Sequence, residues 1–115
     1  MEVQNLVPVD YANQRVLLTA QVAEVYKCSR ARIKDNFRLA RDQFKEGVHF
    51  FKVSGDALRQ LKQSEGFAML GVSKMTSCLY LWTKQGVARH CKMLNTPQAW
   101  DMFDALEKHY FNPAT

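Results

Sequence analysis

At 115 residues and 13.3 kDa the chain has the length of one domain spanning 1–115, and a hydrophobic share of 47% with 23% charged residues argues against disorder. Nothing approaches the roughly 18 apolar residues of a membrane helix, and Met1-Glu2-Val3-Gln4-Asn5 lacks the basic and apolar regions of a signal peptide, so a soluble, cytoplasmic protein without a membrane partner is expected. The net charge of +5 sits on one segment: between Lys27 and Lys45 stand seven basic and two acidic residues, and the rest of the chain holds nine of each sign.

In chain order, Leu6-Val7-Pro8-Val9 and Arg15-Val16-Leu17-Leu18 flank the turn-forming residues 10–14 and read as a β-hairpin. Pro8 cannot donate to a ladder, which makes the first strand an edge. Thr19 offers an N-cap for a two-turn helix over about 20–26, with Val22, Ala23, Val25 and Tyr26 as its apolar face. After the break at Lys27-Cys28, Ser29 is a second N-cap. A helical pattern then runs from 30 to about 44, with Gly47 placed to follow its end.

At about 100° per residue, Ile33, Phe37, Ala40 and Phe44 fall within an arc of about 60°, the expected core face. Arg30, Lys34, Arg38 and Arg41 share an adjoining face, and Arg32, Asn36 and Gln43 line the other flank. Beyond it, residues 49–53 read as a strand and Ser54 caps a short helix over 56–62. Residues 63–76 read as a loop with Phe67, Met69 and Leu70 held against the body, and residues 77–82 read as a strand. Thr83 caps a helix carrying Val87, Ala88, Cys91 and Leu94. Asn95-Thr96-Pro97 opens a last helix with Ala99, Trp100, Phe103, Leu106 and Tyr110 on its apolar side. The order β-β-α-α-β-α-β-α-α predicts a small α+β domain, an antiparallel sheet on one side and helices on the other.

Residues 19–44 read as a helix-turn-helix: a short apolar helix, a tight turn at 26–29, and a second helix. In that motif the second helix lies in the major groove with its N-terminal residues facing base edges. Ser29, Arg30, Arg32 and Asn36 stand at that end. Arg suits guanine O6 and N7, Asn suits adenine N6 and N7, and a capped helix start suits a phosphate. Lys34, Arg38 and Arg41, further along, are placed as backbone clamps, and Lys27 in the turn is counted with the same DNA-binding set. A solvated helix laced by salt bridges would need acidic partners, and only Asp35 and Asp42 are at hand.

No catalytic or metal site is expected, no cofactor and no small-molecule substrate. Cys28, Cys78 and Cys91 are well separated with no Cys-x-x-Cys pair and read as three buried thiols. His90 and Cys91 are neighbours on a helix and point about 100° apart, so they cannot act as base and nucleophile. Asp101, Asp104 and Glu107 form an acidic strip on the last helix. Trp82, Trp100, Phe50, Phe51 and Phe103 are expected in the core.

Asn36-Phe37, Phe44, Gly47-x-His49-Phe50-Phe51 resembles the segment that follows the first two helices in KilA-N-type DNA-binding domains. Leu79-Tyr80-Leu81-Trp82-Thr83-x-x-Gly86 and Leu94-Asn95-Thr96-x-x-Ala99-Trp100 are similar to their open-reading-frame-six N-terminal branch, found at the front of phage and prophage antirepressors. The resemblance implies a compact α+β module that binds double-stranded DNA in a phage-encoded transcriptional regulator. A homodimer reading two half-sites is expected by analogy. The second reading is a protein-interaction module, an antirepressor that captures a repressor or host protein through the acidic strip and the 63–76 loop.

Overall fold

Ala12 and Asn13 both adopt left-handed backbone, φ 52° and 63°, and this two-residue turn sets the register of the first hairpin. In the computed structural model, which describes residues 6–64, 67–73 and 75–111, β1 (Val9–Tyr11) pairs antiparallel with β2 (Gln14–Leu18), Val9 opposite Val16 and Tyr11 opposite Gln14. Asp10, Tyr11 and Gln14 are therefore strand residues, because a turn of this kind needs only two positions where the sequence suggested five. Pro8 stands directly before β1, which is an edge strand.

The sheet is completed by β3 (Phe50–Ser54) and β4 (Cys78–Trp82) in the order β1-β2-β4-β3, antiparallel throughout. The β3–β4 ladder is full length, from Phe50 opposite Trp82 to Ser54 opposite Cys78. The β2–β4 ladder holds only two pairs, Leu17 with Trp82 and Leu18 with Leu81. It stops there because the chain leaves the sheet at Thr19 to begin α1 (Thr19–Val25).

Strand alternation sends apolar side chains to both faces of the sheet. Leu17, Phe50 and Trp82 pack with residues of α1, α2 (Arg30–Leu39), and two later helices, α4 (Lys84–Leu94) and α5 (Pro97–Leu106). Val16, Leu18, Val53 and Leu81 pack on the opposite side with Leu58 and Leu61 of α3 (Gly55–Lys62) and Phe67 of a 3₁₀ turn, Phe67–Leu70. The element order is the expected one and the fold is α+β. The helices, however, cover both faces rather than one, since β2 and β4 are apolar at consecutive positions and neither face can be left to water.

The caps are mostly those the sequence offered. Ser29 Oγ accepts from the Arg32 N–H at 3.0 Å, Thr83 from Gly86 at 3.2 Å and Thr96 from Ala99 at 3.1 Å, with Pro97 opening α5. At α1 the capping position is Leu18, not Thr19. Gln21 reaches back instead, its Oε1 accepting the Leu18 N–H at 2.9 Å. Thr19 Oγ1 accepts the indole N–H of Trp82 at 2.9 Å and so ties α1 to β4.

The second helix is shorter than its pattern. It ends at Leu39, a 3₁₀ turn covers Arg41–Gln43, and Phe44 is extended. That bend delivers the Phe44 ring to a cluster with Phe37, Trp82 and His90, centroids 5.0 to 5.6 Å apart. Gly47 does not close the helix. It adopts φ 88° in the following loop and donates its N–H to the Phe50 carbonyl at 2.7 Å.

Trp100 is 43% exposed and so does not belong to the core as expected, Phe51 and Phe103 are half-buried, and Met69, expected against the body, is 74% exposed. Cys91 alone of the three thiols is buried, with Cys28 and Cys78 half-exposed. The chain after α5 widens into a π-helical turn, Glu107–Phe111, whose buried Tyr110 donates its hydroxyl to the Val16 carbonyl (2.6 Å) and accepts the Val9 N–H (3.1 Å).

Candidate nucleic-acid interface

Four residues separate α1 from α2, and each has a defined task. Tyr26 is buried and donates its hydroxyl to the Val87 carbonyl of α4 at 3.0 Å. Lys27 turns the chain at φ 56°, and its N–H and that of Cys28 close the end of α1 on the Glu24 and Ala23 carbonyls. Ser29 then caps α2. The start of α2 is thus fixed to the body through Tyr26, while the N–H groups of its first turn, Arg30 and Ala31, have no partner within the helix.

Of the residues singled out in the sequence, Lys27, Ser29, Arg30, Arg32, Lys34 and Arg38 are exposed on this turn and helix. Among the described residues one ion pair involves this set, Arg38 with Asp35 at 3.4 Å between two exposed side chains, which holds little charge in place. Ile33 is buried beneath them and Phe37 packs at the edge of the same core. Arg30 and Lys34, one turn apart, border a cleft of about 500 Å³ between α2, the start of α1 and residues 70–73, 76 and 78–80. Arg32 lies on the other flank of α2, as its 200° separation from Arg30 on the wheel dictates.

Two residues fall outside this helical row, Asn36 by burial and Arg41, itself exposed, by its position after α2. Asn36 is 5% exposed, and its Nδ2 has no hydrogen-bond partner among the described residues. Arg41 lies beyond the end of α2 and folds back on the body. Its guanidinium sits 4.8 Å from the Phe37 ring centre and 5.1 Å from that of Phe50, and donates to the Phe44 carbonyl at 2.9 Å. The shortened helix is the reason for the placement of Arg41, since the face read as continuous to residue 44 ends five residues earlier, whereas Asn36 lies inside α2 about 60° from Ile33, on its buried side.

One cation near this surface was not legible in the sequence. Arg89 of α4 reaches the Nε2 of His49 at 3.2 Å and the Gln43 side chain at 3.5 Å. Nothing in its local spacing marks it, since the contact joins residues forty positions apart. Burial, with Arg89 and Lys45 alongside, lowers the His49 pKa, and its Nδ1 accepts the Lys45 N–H at 3.0 Å. His49 is accordingly a neutral brace between the loop and α4.

The neighbouring thiols and imidazoles offer no reactive set. Burial pushes the Cys28 thiol up against the opposing pull of Arg32. His90 is wholly buried, 4.4 Å from the Trp82 ring and 5.0 Å from that of Phe44, and burial brings its pKa down to about 4. Among the described residues no three His, Cys, Asp or Glu side chains are grouped to hold a metal ion, and no helix is long and apolar enough to cross a membrane.

The sequence pattern of the ORF6N domain matches residues 6–93, from three residues before the first strand through all but the last residue of α4. The chain belongs to the ORF6N domain family. No curated protein and no solved structure matches it. The ORF6N span contains the whole sheet and α1 to α4, hence the exposed basic helix and the cleft beside it, while α5 and the turn with Tyr110 lie outside it. The branch expected from residues 79–100 is therefore the family to which the chain belongs.

Proposed function

We propose that this ORF6N domain is the DNA-binding module of a phage or prophage transcriptional regulator or antirepressor, with α1 and α2 acting as a helix-turn-helix and α2 entering the major groove. The observation that supports this most directly is the exposed set Lys27, Arg30, Arg32, Lys34 and Arg38, displayed on one helix and its leading turn with a single weak ion pair. Arg32 is the base reader, with five N–H donors that match the guanine edge. The free N–H groups at the start of α2 and the Ser29 hydroxyl take a phosphate, and Lys27, Lys34 and Arg38 hold the backbone on either side. Membership of a phage-associated family agrees with this reading.

The test is fluorescence anisotropy of labelled random-sequence duplex DNA titrated with the protein at several salt concentrations. A log–log slope of roughly −3 to −6 is expected if these cations neutralise about that many phosphates. Absence of binding at low salt would overturn the reading.

A second reading, capture of a repressor or host protein, is favoured by one observation on α5. Trp100 is exposed beside Asp101 and Asp104, which are also exposed and form no ion pair among the described residues. Pull-down of a defined partner after nuclease treatment, together with no affinity for duplex DNA, is the result that would replace the first reading with this one.

A further inference from the structure

The cleft beside α2 has an unfinished sheet edge as one wall. On the β2 side of β4 the ladder ends at Leu18 with Leu81, so, among the described residues, 78–80 have no strand beside them there. Along an antiparallel strand, alternate residues turn both backbone groups to the same side. The Thr83 N–H donates to the His49 carbonyl on the β3 side, which puts the N–H and C=O of Tyr80 and Cys78 on the open side. Facing that edge across the cleft stand Arg30 and Lys34, and among the described residues no Asp or Glu lines it.

The two faces of the slot differ. Tyr80 packs with the core beneath α1 and α2, whereas Leu79, Leu70 and Val72 pack with the core beneath α3. A strand laid in the slot would turn alternate side chains to these two environments, one edged by cations and one apolar.

We infer that this cleft is a docking site for an extended acidic segment of a partner protein, which adds as a strand to the free edge of β4. Its side chains alternate, carboxylates toward Arg30 and Lys34 and apolar or β-branched residues toward Leu70 and Leu79. Main-chain hydrogen bonds would supply affinity and the alternation would supply specificity. A small anion uses the cations but leaves the sheet edge and the apolar wall unused, so the three observations together favour a peptide. Because Arg30 and Lys34 also belong to the surface proposed for DNA, the segment and DNA would exclude each other.

The probe is a pooled library of fluorescein-labelled heptapeptides with Glu at every second position and Val, Ile, Leu or Thr between, titrated with the full chain by anisotropy. Saturable binding is expected, with slowed amide exchange at Tyr80 and Cys78. Methylating alternate peptide nitrogens should weaken binding at least about tenfold by removing the ladder donors, and so should R30A/K34A at low salt. No saturable binding, equal affinity of the methylated pool, or displacement by inorganic phosphate at the peptide's own concentration would each overturn the proposal. Binding of duplex DNA is measured separately without peptide, so failure of either reading shows by itself.

Discussion

Gly86 lies against the carbonyl of His49 so closely that a β-carbon on Gly86 would collide with that oxygen and press on the Trp82 ring. The contact is held from both sides: the Thr83 N–H donates to the same carbonyl at 3.0 Å and the Thr83 hydroxyl to the Val48 carbonyl at 2.6 Å. Two of the stretches that carried the family resemblance, residues 47–51 and 79–86, meet here. The first turn of α4 can dock on the loop before β3 only if position 86 has no side chain. Gly86→Ala should therefore cost about 3 kcal/mol or more, since the obstacle is backbone and cannot swing aside. Urea denaturation measures it, and a loss below about 0.5 kcal/mol would mean that the docking is looser than described.

Tyr110 ties the last turn to the first hairpin by donating to Val16 on β2 and accepting from Val9 on β1. Its burial among these strands raises the phenol pKa to about 12, so it remains a donor at any physiological pH. Tyr110→Phe keeps the ring but leaves the Val9 N–H without its acceptor, at a cost of about 1–3 kcal/mol. Faster amide exchange at Val9, with the α2 amides unchanged, would locate the effect at the hairpin.

His90 makes stability depend on pH. In the folded chain its ring stays neutral down to about pH 4, while in the unfolded chain it protonates near 6.5. As pH falls through that window the unfolded state takes up the proton first, so stability declines with falling pH, by about 3 kcal/mol once both values are passed. The lowered His49 acts in the same direction. His90→Leu should flatten this part of the profile and, by removing two buried nitrogens that have no partner among the described residues, raise stability at pH 7 by about 1 kcal/mol. Thermal melts of both proteins between pH 4 and 8 decide it; parallel curves would show that His90 is not the source.

Three substitutions separate DNA contact from packing. Arg32→Ala should weaken specific binding by about 1–3 kcal/mol and relax preference at one base position, with the melting temperature unchanged. Arg41→Ala should lower stability by about 1–2 kcal/mol, because its guanidinium covers Phe37 and Phe50 and holds the Phe44 carbonyl. Asn36→Ala should leave sequence preference intact, since its side chain is buried. Anisotropy with specific duplexes and denaturation curves on the same three proteins check the set. A stable Arg32→Ala protein with undiminished binding would remove α2 from the interface.

Local chemistry was enough to read much of this molecule. Ser29, Thr83 and Thr96 cap helices because a hydroxyl one turn ahead of an apolar face satisfies a free N–H wherever the helix sits. The element order followed from such punctuation, and the concentration of charge between Lys27 and Lys45 is a property of composition alone. What local pattern could not supply was anything set by contacts between distant residues. The helix from Ser29 stops at Leu39, although its apolar spacing continues to Phe44, because that ring is drawn into a cluster with Trp82 and His90. The same bend takes Arg41 out of the basic row and lays it on Phe37 and Phe50. The free edge of β4 exists because β2 ends two pairs into the ladder, and which strand β2 would meet is decided only when the sheet assembles. Periodicity marks the face a residue shares with its neighbours; burial and partner are fixed by what the rest of the chain packs against that face.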